Sequence, residues 1–249
     1  YSWRVIWQFI SIIILIVLPI IVLYTIKNVT IDSREANTLD NNQKKFKDIK
    51  NWRRSEVLKD FKFYIISLNM LAMPWIVTGV FIYQSFIAES KLWGSYIIPQ
   101  SFMVYSVTSI LTLIASGFLV DKFTSRKLIP IMNLPLLFGL IVLYFFDMSY
   151  SAYLFFGLMG VSNGLANVLG SSTWAEIYGV RYLGAIRALT TAFMVFSTAF
   201  GTALFGLLID KGYTIENIAL ISILYISVSL SFLLVIKGSV EPVNLRKKT

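Results

Sequence analysis

The chain has 249 residues, of which 57% are hydrophobic and 14% are charged, and its formal net charge is +9. A soluble domain is typically about a quarter charged, so this composition offers too little polar surface for a water-soluble fold. The sequence contains no cysteine and no histidine, which excludes disulfide and thiol chemistry and removes the commonest metal ligand and neutral-pH proton carrier.

Seven apolar segments follow one another along the chain, and each is long enough to cross a bilayer as a helix, which takes roughly 20 residues. Backbone amides in a hydrocarbon layer must be bonded within their own segment, so long uncharged runs can only be helices. The sequence therefore predicts an all-α polytopic membrane protein with the lipid bilayer as a partner. The predicted spans are about 4–24, 64–87, 97–119, 128–146, 152–173, 188–209 and 217–236.

Basic residues are concentrated in alternate connections. Excess Lys and Arg in short connections marks the cytoplasmic side of a membrane. The distribution predicts that the sequence starts outside, crosses seven times and ends in the cytoplasm, and it explains the net charge without a nucleic-acid partner. Four segments on one side hold 19 of the 22 Lys and Arg residues, namely 25–62, 120–127, 176–187 and 237–249.

The long connection after the first span is predicted to be a cytoplasmic linker. Its first part is rich in Asn, Asp, Thr and Lys, a composition typical of flexible chain. Its second part places Phe46, Ile49, Trp52 and Arg53 at near-helical spacing among cations. That pattern fits a short helix lying on an anionic membrane surface, and a solvated tether is the equal alternative.

The connection "SGFLVDKFTSRKLIP" carries a spaced motif. Its Gly117, Asp121, Lys122 and Arg126 match the signature loop of the major facilitator superfamily, which is a Gly, three residues, an Asp, a cation, any residue, a Gly and two more cations. The sequence resembles that superfamily here.

The motif also departs from the superfamily pattern at two positions. Thr124 stands where the second Gly is usual, and Ser125 stands where a cation is usual.

Further stretches resemble the same superfamily in its own order. The opening "YSWRVIWQ" looks like the start of the sixth of twelve helices, and "WAEIYGVRYLGAIRALTTAFMVFSTAFG" is similar to bacterial permeases near the monocarboxylate-porter branch. The resemblance implies a fragment, with the missing N-terminal half of the same chain as a partner. Its implied parts are the last helix of that half (1–26), the cytoplasmic linker (27–62) and the C-terminal six-helix half (63–249).

The resemblance also implies a function. The protein would be a secondary active transporter in the inner (plasma) membrane, not an enzyme, and would use no cofactor. It would move a small organic solute by alternating access, as a symporter or antiporter, with or without a coupling ion. The branch resemblance suggests monocarboxylates or related metabolites as one class of substrate.

Two sets of charged residues are candidates for a conformational gate. In the superfamily the signature loop stabilises one of two alternating states. The four matching residues are therefore interpreted as a latch between those states. The alternative is that they form only a solvated turn. The second set lies at the predicted cytoplasmic ends of the fifth and sixth spans, where opposite charges could pair in one state and separate in the other, or could serve orientation alone. The second set is Glu176, Arg181 and Arg187.

Candidate substrate-binding residues lie at mid-span, where transporter sites are found. Asn163 and Asn167 share one helical face with Gly160, Gly164 and Ser171. An amide in lipid needs a partner, so this face is predicted to line a cavity. Helix packing through the two glycines and cross-helix amide bonds is the alternative.

Three further candidates are aromatic or amide residues in the second and third spans. Trp75, Gln84 and Tyr105 could stack on or orient an organic solute, although each is also a common packing or interfacial residue. No Asp, Glu, Lys or Arg occupies the middle of a predicted span. This part of the protein is therefore not expected to supply the central charge for a proton relay or an anion.

A seven-helix membrane receptor or photoreceptor is the competing class. A retinal protein needs a Lys in its last span, and segment 217–236 has none. The acid-Arg-aromatic triplet at the end of a third span and an external Cys pair, both common in receptors, are also missing. A membrane-embedded enzyme is disfavoured, since no carboxylate pair or Ser-Lys dyad sits at membrane depth.

Overall fold

The computed structural model describes residues 3–28 and 50–236, and every regular element in these two ranges is an α-helix. The all-α prediction is confirmed. The helices are α1 Trp3–Asn28, α2 Arg54–Val57, α3 Phe61–Ile82, α4 Gln84–Ser90, α5 Ile97–Phe123, α6 Ser125–Met132, α7 Leu134–Phe145, α8 Ser149–Tyr178, α9 Leu183–Asp210 and α10 Ile215–Ile236.

Six helical segments of the described residues are long and apolar enough to cross a membrane: α3, α5, the pair α6–α7, α8, α9 and α10. They confirm the six predicted spans from the second to the seventh. The first predicted span lies on α1, whose apolar part is Ser11–Tyr24. The chain divides after residue 47 into two compact units, and α1 is in the first of them.

One predicted span end is wrong, and one helix break inside a span was not predicted. The second span was expected to run to 87, but α3 ends at Ile82 and the short α4 begins after Tyr83. The fourth was expected to start at 128, but the helical segment starts at Ser125 and breaks at Asn133. Pro135 follows that break within the first two residues of α7, where its missing N–H costs no helical bond.

The six spans of the second unit form two repeats of three. Helix α5 packs on α8, and the corresponding pair is α9 on α3. Helix α7 also packs on α8, and the corresponding pair is α10 on α3. Exchanging α3, α5 and α6–α7 with α8, α9 and α10 therefore reproduces the most extensive helix pairs of the bundle. The two repeats cross in opposite directions, because α3 begins at the end where α8 finishes. This is the inverted-repeat arrangement found in many transporters.

The two ends of this bundle differ in charge. We call the end formed by residues 50–60, 120–127 and 176–187 the basic end, and the end formed by 83–96, 146–148 and 210–214 the opposite end. Each end has its own buried cluster of apolar and aromatic side chains. Phe63, Trp174 and Tyr178 lie in the cluster at the basic end, and Phe156 and Phe205 lie in the other.

Pro74 lies inside α3, where it removes one backbone donor and crowds the preceding turn. Side chains from neighbouring helices bond to carbonyls of that turn. The Tyr225 hydroxyl donates to the Leu68 carbonyl at 2.8 Å, and the Asn133 amide donates to the Asn69 carbonyl at 2.6 Å. In addition, the Ser197 hydroxyl on α9 donates to the Leu71 carbonyl at 3.0 Å. Tertiary contacts thus support the helix around its proline.

Glycines bring the backbones of paired helices together. A Cβ at Gly164 would lie 2.6 Å from the Ser109 carbonyl oxygen of α5, and one at Gly160 would overlap Thr108. Gly201 of α9 meets the backbone of Trp75 on α3 in the same way. Close approach of this kind is how membrane helices gain packing energy where lipid provides no hydrophobic driving force. The contacts of Gly160 and Gly164 are those expected from the packing alternative.

At the opposite end, one buried cation ties three connections together. The Lys91 ammonium, whose side chain is fully buried, lies 2.6 Å from an Asp147 carboxylate oxygen and 2.8 Å from one of Glu216. The Trp93 indole also donates to the Asp147 carbonyl at 3.0 Å. Burial lowers the pKa of Lys91, but the hydrogen bonds that its ammonium donates to the two carboxylates outweigh this effect, so the net pKa is raised above 10.5.

Replacing Gly164 should separate α5 from α8. We expect Gly164→Ala to destabilise the protein by about 1–3 kcal/mol, because the added methyl group overpacks a backbone contact. Gly170→Ala is the control on the same helix, since a Cβ there meets nothing within 4 Å and alanine favours a helix by about 1 kcal/mol. The measurement is the thermal denaturation midpoint in detergent. Equal midpoints for the two variants would contradict the close contact.

Replacing Lys91 should loosen the opposite end. We expect Lys91→Met to cost about 1–3 kcal/mol, less than a fully buried pair, because both carboxylates are partly exposed. Because the pKa of Lys91 is higher in the folded than in the unfolded protein, its ion pairs contribute their full stabilisation at pH values below the unfolded-state pKa. This stabilisation is lost as the pH rises through the folded-state pKa. The wild-type denaturation midpoint should therefore fall above about pH 10.5, and that fall should be smaller in Lys91→Met. Lys211→Met, at an exposed lysine of the same end, should leave the midpoint unchanged at neutral pH.

Candidate functional site

A cavity of about 480 Å³ lies between α3, α8 and α9, with a contribution from α6. Sites for organic ligands typically have volumes of about 300–1,000 Å³. The cavity reaches from mid-depth, at Asn163 near the centre of α8, to the basic end, where Arg187 is in the second turn of α9. Its polar lining residues are Ser67, Thr78, Asn163, Asn167, Ser171, Thr190 and Thr191, and its apolar ones include Met70, Met73, Met132, Met194, Phe193 and Trp174.

The polar face of α8 has the two functions that the sequence left as alternatives. Asn163 donates an amide hydrogen to the Ser109 hydroxyl of α5 at 2.9 Å, so it bridges two helices. Asn167 donates to the Asn163 carbonyl at 2.9 Å, which fixes its side chain against its own helix. Both residues also line the cavity, and Asn167 is exposed to it. The glycines of this face therefore serve packing, Asn167 lines the cavity, and Asn163 does both.

The α3 wall supplies polar groups that a sequence pattern does not reveal. Ser67, Met70 and Pro74 follow at helical spacing and all face the cavity. Because Pro74 has no N–H, the helix offers the Met70 carbonyl no i+4 donor. The Ser67 hydroxyl is buried without a hydrogen-bond partner among the described residues. This wall therefore has free hydrogen-bonding capacity.

Arg187 is the one charged side chain among the described residues that line the cavity. It is exposed and forms no ion pair with any residue of 3–28 or 50–236. Arg181 is not part of the lining. Its guanidinium lies 5.6 Å from the Tyr182 ring, and its backbone N–H donates to the Asn51 side chain at 3.1 Å. The structure thus separates two arginines that the sequence placed in one group.

The other three candidate binding residues do not line this cavity. Trp75 is buried against Phe205 and Tyr225. Gln84 starts α4 at the opposite end. Tyr105 packs its ring on Phe81 at 5.1 Å.

Glu176 joins the two charged sets of the basic end. Its carboxylate accepts hydrogen bonds from the Ser125 N–H at 2.9 Å, the Ser125 hydroxyl at 3.0 Å and the Arg126 N–H at 3.3 Å. The Arg126 guanidinium lies 3.5 Å away. The carboxylate thereby caps the first turn of α6, where a negative charge is stabilised by unpaired N–H groups. Ser125, which replaces the usual cation of the motif, is fully buried as a donor in this contact.

The rest of the signature loop faces away from the described bundle. Asp121 and Lys122 are exposed on the last turn of α5, and Lys122 lies 5.4 Å from the Phe123 ring. A Cβ at Gly117 would meet no described atom within 4 Å. The close approach expected of this glycine is therefore not made within the described residues.

Thr124 shows why a glycine is usual at its position. Its φ is 68° and its ψ is 145°, a combination that is sterically unfavourable for any side chain with a Cβ and most of all for a β-branched one. The geometry lets α5 end and α6 begin with no intervening residue other than Thr124. The threonine thus holds a strained turn.

The end of the linker docks on the basic end. The Trp52 N–H donates to the Tyr178 carbonyl at 3.0 Å, and the two rings pack edge to face. Trp52 and Arg53 are not helical, so the predicted surface helix is wrong for this part. Phe46 and Ile49 lie outside the described residues. Nearby, the Arg53 N–H and then the Lys50 ammonium lower the pKa of the Glu56 carboxyl.

Three features of these ends were missed by sequence reasoning: the Glu176–Ser125 contact, the Lys91 cluster and the docking of Trp52. Their partners are separated by 51 or more residues along the chain. A single sequence gives no signal for such pairs. Within the described residues, no group of three or more acidic side chains is placed to hold a metal ion.

Comparison with known proteins gives one match. A family model described as Major Facilitator Superfamily matches residues 1–202. No curated protein and no solved structure matches the chain.

Replacing Thr124 with glycine should relieve its strain. A disfavoured backbone conformation costs about 1–3 kcal/mol, whereas glycine costs about 0.5–1 kcal/mol through the freedom of the unfolded chain. We therefore expect Thr124→Gly to raise the free energy of unfolding by about 1 kcal/mol. Thr124→Ala keeps the Cβ and should give no comparable gain. A denaturation midpoint that rises equally in both variants would contradict the strain.

Proposed function

The chain belongs to the Major Facilitator Superfamily of membrane transporters, and we propose that it is a secondary active transporter that moves a small organic solute by alternating access. The observation that carries the proposal is the cavity between α3, α8 and α9, which reaches mid-depth between two inverted repeats. Transporter sites lie at that depth and at that interface. The family match gives no support to the receptor alternative.

The lining suits an organic solute better than a bare ion. Its surface is mainly apolar, with a few convergent hydroxyl and amide groups, as is usual for small-molecule sites. We assign Asn163 and Asn167 to substrate binding, with Asn167 the more exposed of the two. Monocarboxylates and related metabolites are among our candidate solutes, on the strength of the sequence resemblance.

We propose that the basic end faces the cytoplasm of the plasma membrane, in accordance with the distribution of Lys and Arg. The cavity then reaches the cytoplasmic side. Asp121 and Lys122 remain exposed there, next to the strained turn at Thr124 and the Glu176 cap. We infer that this exposed part of the signature loop is the latch that exchanges partners between states. A loop fully bonded inside one bundle could not make that exchange.

Cysteine accessibility tests the proposal directly, because the 249-residue sequence contains no cysteine; any cysteine elsewhere in the full-length protein is replaced by serine. We expect Asn167→Cys in the full-length protein to react with an impermeant thiol reagent from the cytoplasmic side and, in another conformational state, from outside. The rates of modification are measured in inverted and right-side-out vesicles.

Two exposed positions calibrate the sides. Lys127→Cys at the basic end should react from the cytoplasm only, and Ser90→Cys at the opposite end should react from outside only. Reaction of Asn167→Cys from a single side under every ion and solute gradient would contradict alternating access at this cavity. Reaction of Lys127→Cys from outside would overturn the orientation.

A further inference from the structure

The charges of the basic end leave one cation in the cavity without a counter-ion. Glu176 is bonded to Ser125 and Arg126, and Glu56 is paired with Lys50 at 2.9 Å. Asp60 accepts from the Tyr178 hydroxyl. No carboxylate lines the cavity along its described walls, and Arg187 is its only charge there.

From this arrangement we propose that Arg187 binds the anionic group of the substrate, and that the substrate is an organic monoanion with an apolar body. The inference rests on the proposed transport function and deepens it. The planar guanidinium offers several N–H donors that match a carboxylate, sulfonate or phosphate oxygen pair. An anion there would complete a site that is otherwise positively charged.

The remaining lining defines the body of such a substrate. The lining shared with Arg187 contains four methionines, Trp174 and Phe193, and methionine adapts its shape to an apolar ligand. Hydroxyl and amide groups occur in the same walls, so a substrate can also carry a neutral polar group. An apolar chain or ring can therefore extend from the anionic group towards the middle of the membrane.

The number of charges limits the class further. A second anionic group would face described walls that have no second cation, and burying an unpaired charge is costly. A cationic solute would approach Arg187 with no carboxylate in the lining to attract it. The single positive charge of Arg187 therefore matches a substrate with one negative charge.

Arg187 was predicted from the sequence to belong to a gate together with Arg181. The two arginines occupy different surroundings, because Arg181 lies beside Tyr182 outside the cavity. A residue that only gates or orients the protein would not alter the equilibrium preference for an anion over its neutral analogue. That preference is therefore the property to measure.

The test uses full-length protein and six probes: butyrate, hexanoate, octanoate, benzoate, hexanamide and hexylammonium. Binding is measured as ligand-dependent thermal stabilisation, confirmed with radiolabelled hexanoate. We expect saturable binding of at least one acid, with hexanamide and hexylammonium binding more weakly. Arg187→Gln should weaken binding of the acid by about 10- to 100-fold, the loss expected for a charge-assisted contact.

Two variants control the measurement. Arg187→Lys keeps the charge but loses the planar donor pair, so its affinity should fall between those of wild type and Arg187→Gln. Arg54→Gln removes an exposed arginine of the same end that lies away from the cavity, and it should bind as wild type does. Gel filtration of each variant shows whether it is folded. If Arg187→Gln does not fold, Arg187→Lys replaces it as the variant compared with wild type.

Three results would overturn the proposal: no saturable binding of any of the four acids, equal binding of hexanamide and hexanoate, or equal affinities in Arg187→Gln and Arg54→Gln. If Asn167→Cys then still reacts from both sides, transport stands and the anion assignment falls. If hexanoate binding depends on Arg187 while Asn167→Cys reacts from one side only, the anion site stands and alternating access at this cavity falls.

Discussion

The structure depends first on the need to bond every backbone amide inside a hydrocarbon layer. Continuous helices meet this need by themselves, so the informative places are those where a helix is interrupted. Pro74 leaves the Met70 carbonyl of α3 without its helical donor, and the nearby carbonyls of Leu68, Asn69 and Leu71 accept bonds from three other segments. At the break between α6 and α7, the Ser162 hydroxyl of α8 accepts from the Leu136 N–H at 2.8 Å. The bond to Ser162 supplies a partner for an N–H at a helix break, whereas the bonds near Pro74 hold neighbouring helices against α3.

The same cross-helix contacts position the cavity. Gly160 and Gly164 hold α8 against α5, and Gly201 holds α9 against α3. These two tight pairs are related by the exchange of the inverted repeats. The cavity lies where α3, α8 and α9 face one another with a proline, hydroxyl groups and asparagines in their walls. The close packing of α5 on α8 and of α9 on α3, and the cavity between these pairs, therefore both follow from the inverted-repeat arrangement.

Charge is kept to the two ends, and it has a different role at each. At the opposite end Lys91 is buried between two carboxylates and stabilises the connections. At the basic end Glu176 fixes the start of α6, whereas Asp121, Lys122 and Arg187 keep exposed side chains. In the proposed mechanism, the bonded charges persist, whereas the exposed Asp121 and Lys122 exchange partners between states.

The sequence by itself determined the six confirmed spans, the all-helical class and the charge difference between the ends, because these follow from residue type and local periodicity. It also placed Asn163 and Asn167 on one face of α8, since that face is set by helical spacing. Only the tertiary structure decided that Arg187 and Ser67 share a cavity with those asparagines while Trp75 and Gln84 lie elsewhere. The physical reason is that spacing fixes a side chain's direction around its own helix, whereas the helix that it meets depends on contacts between residues far apart in the chain.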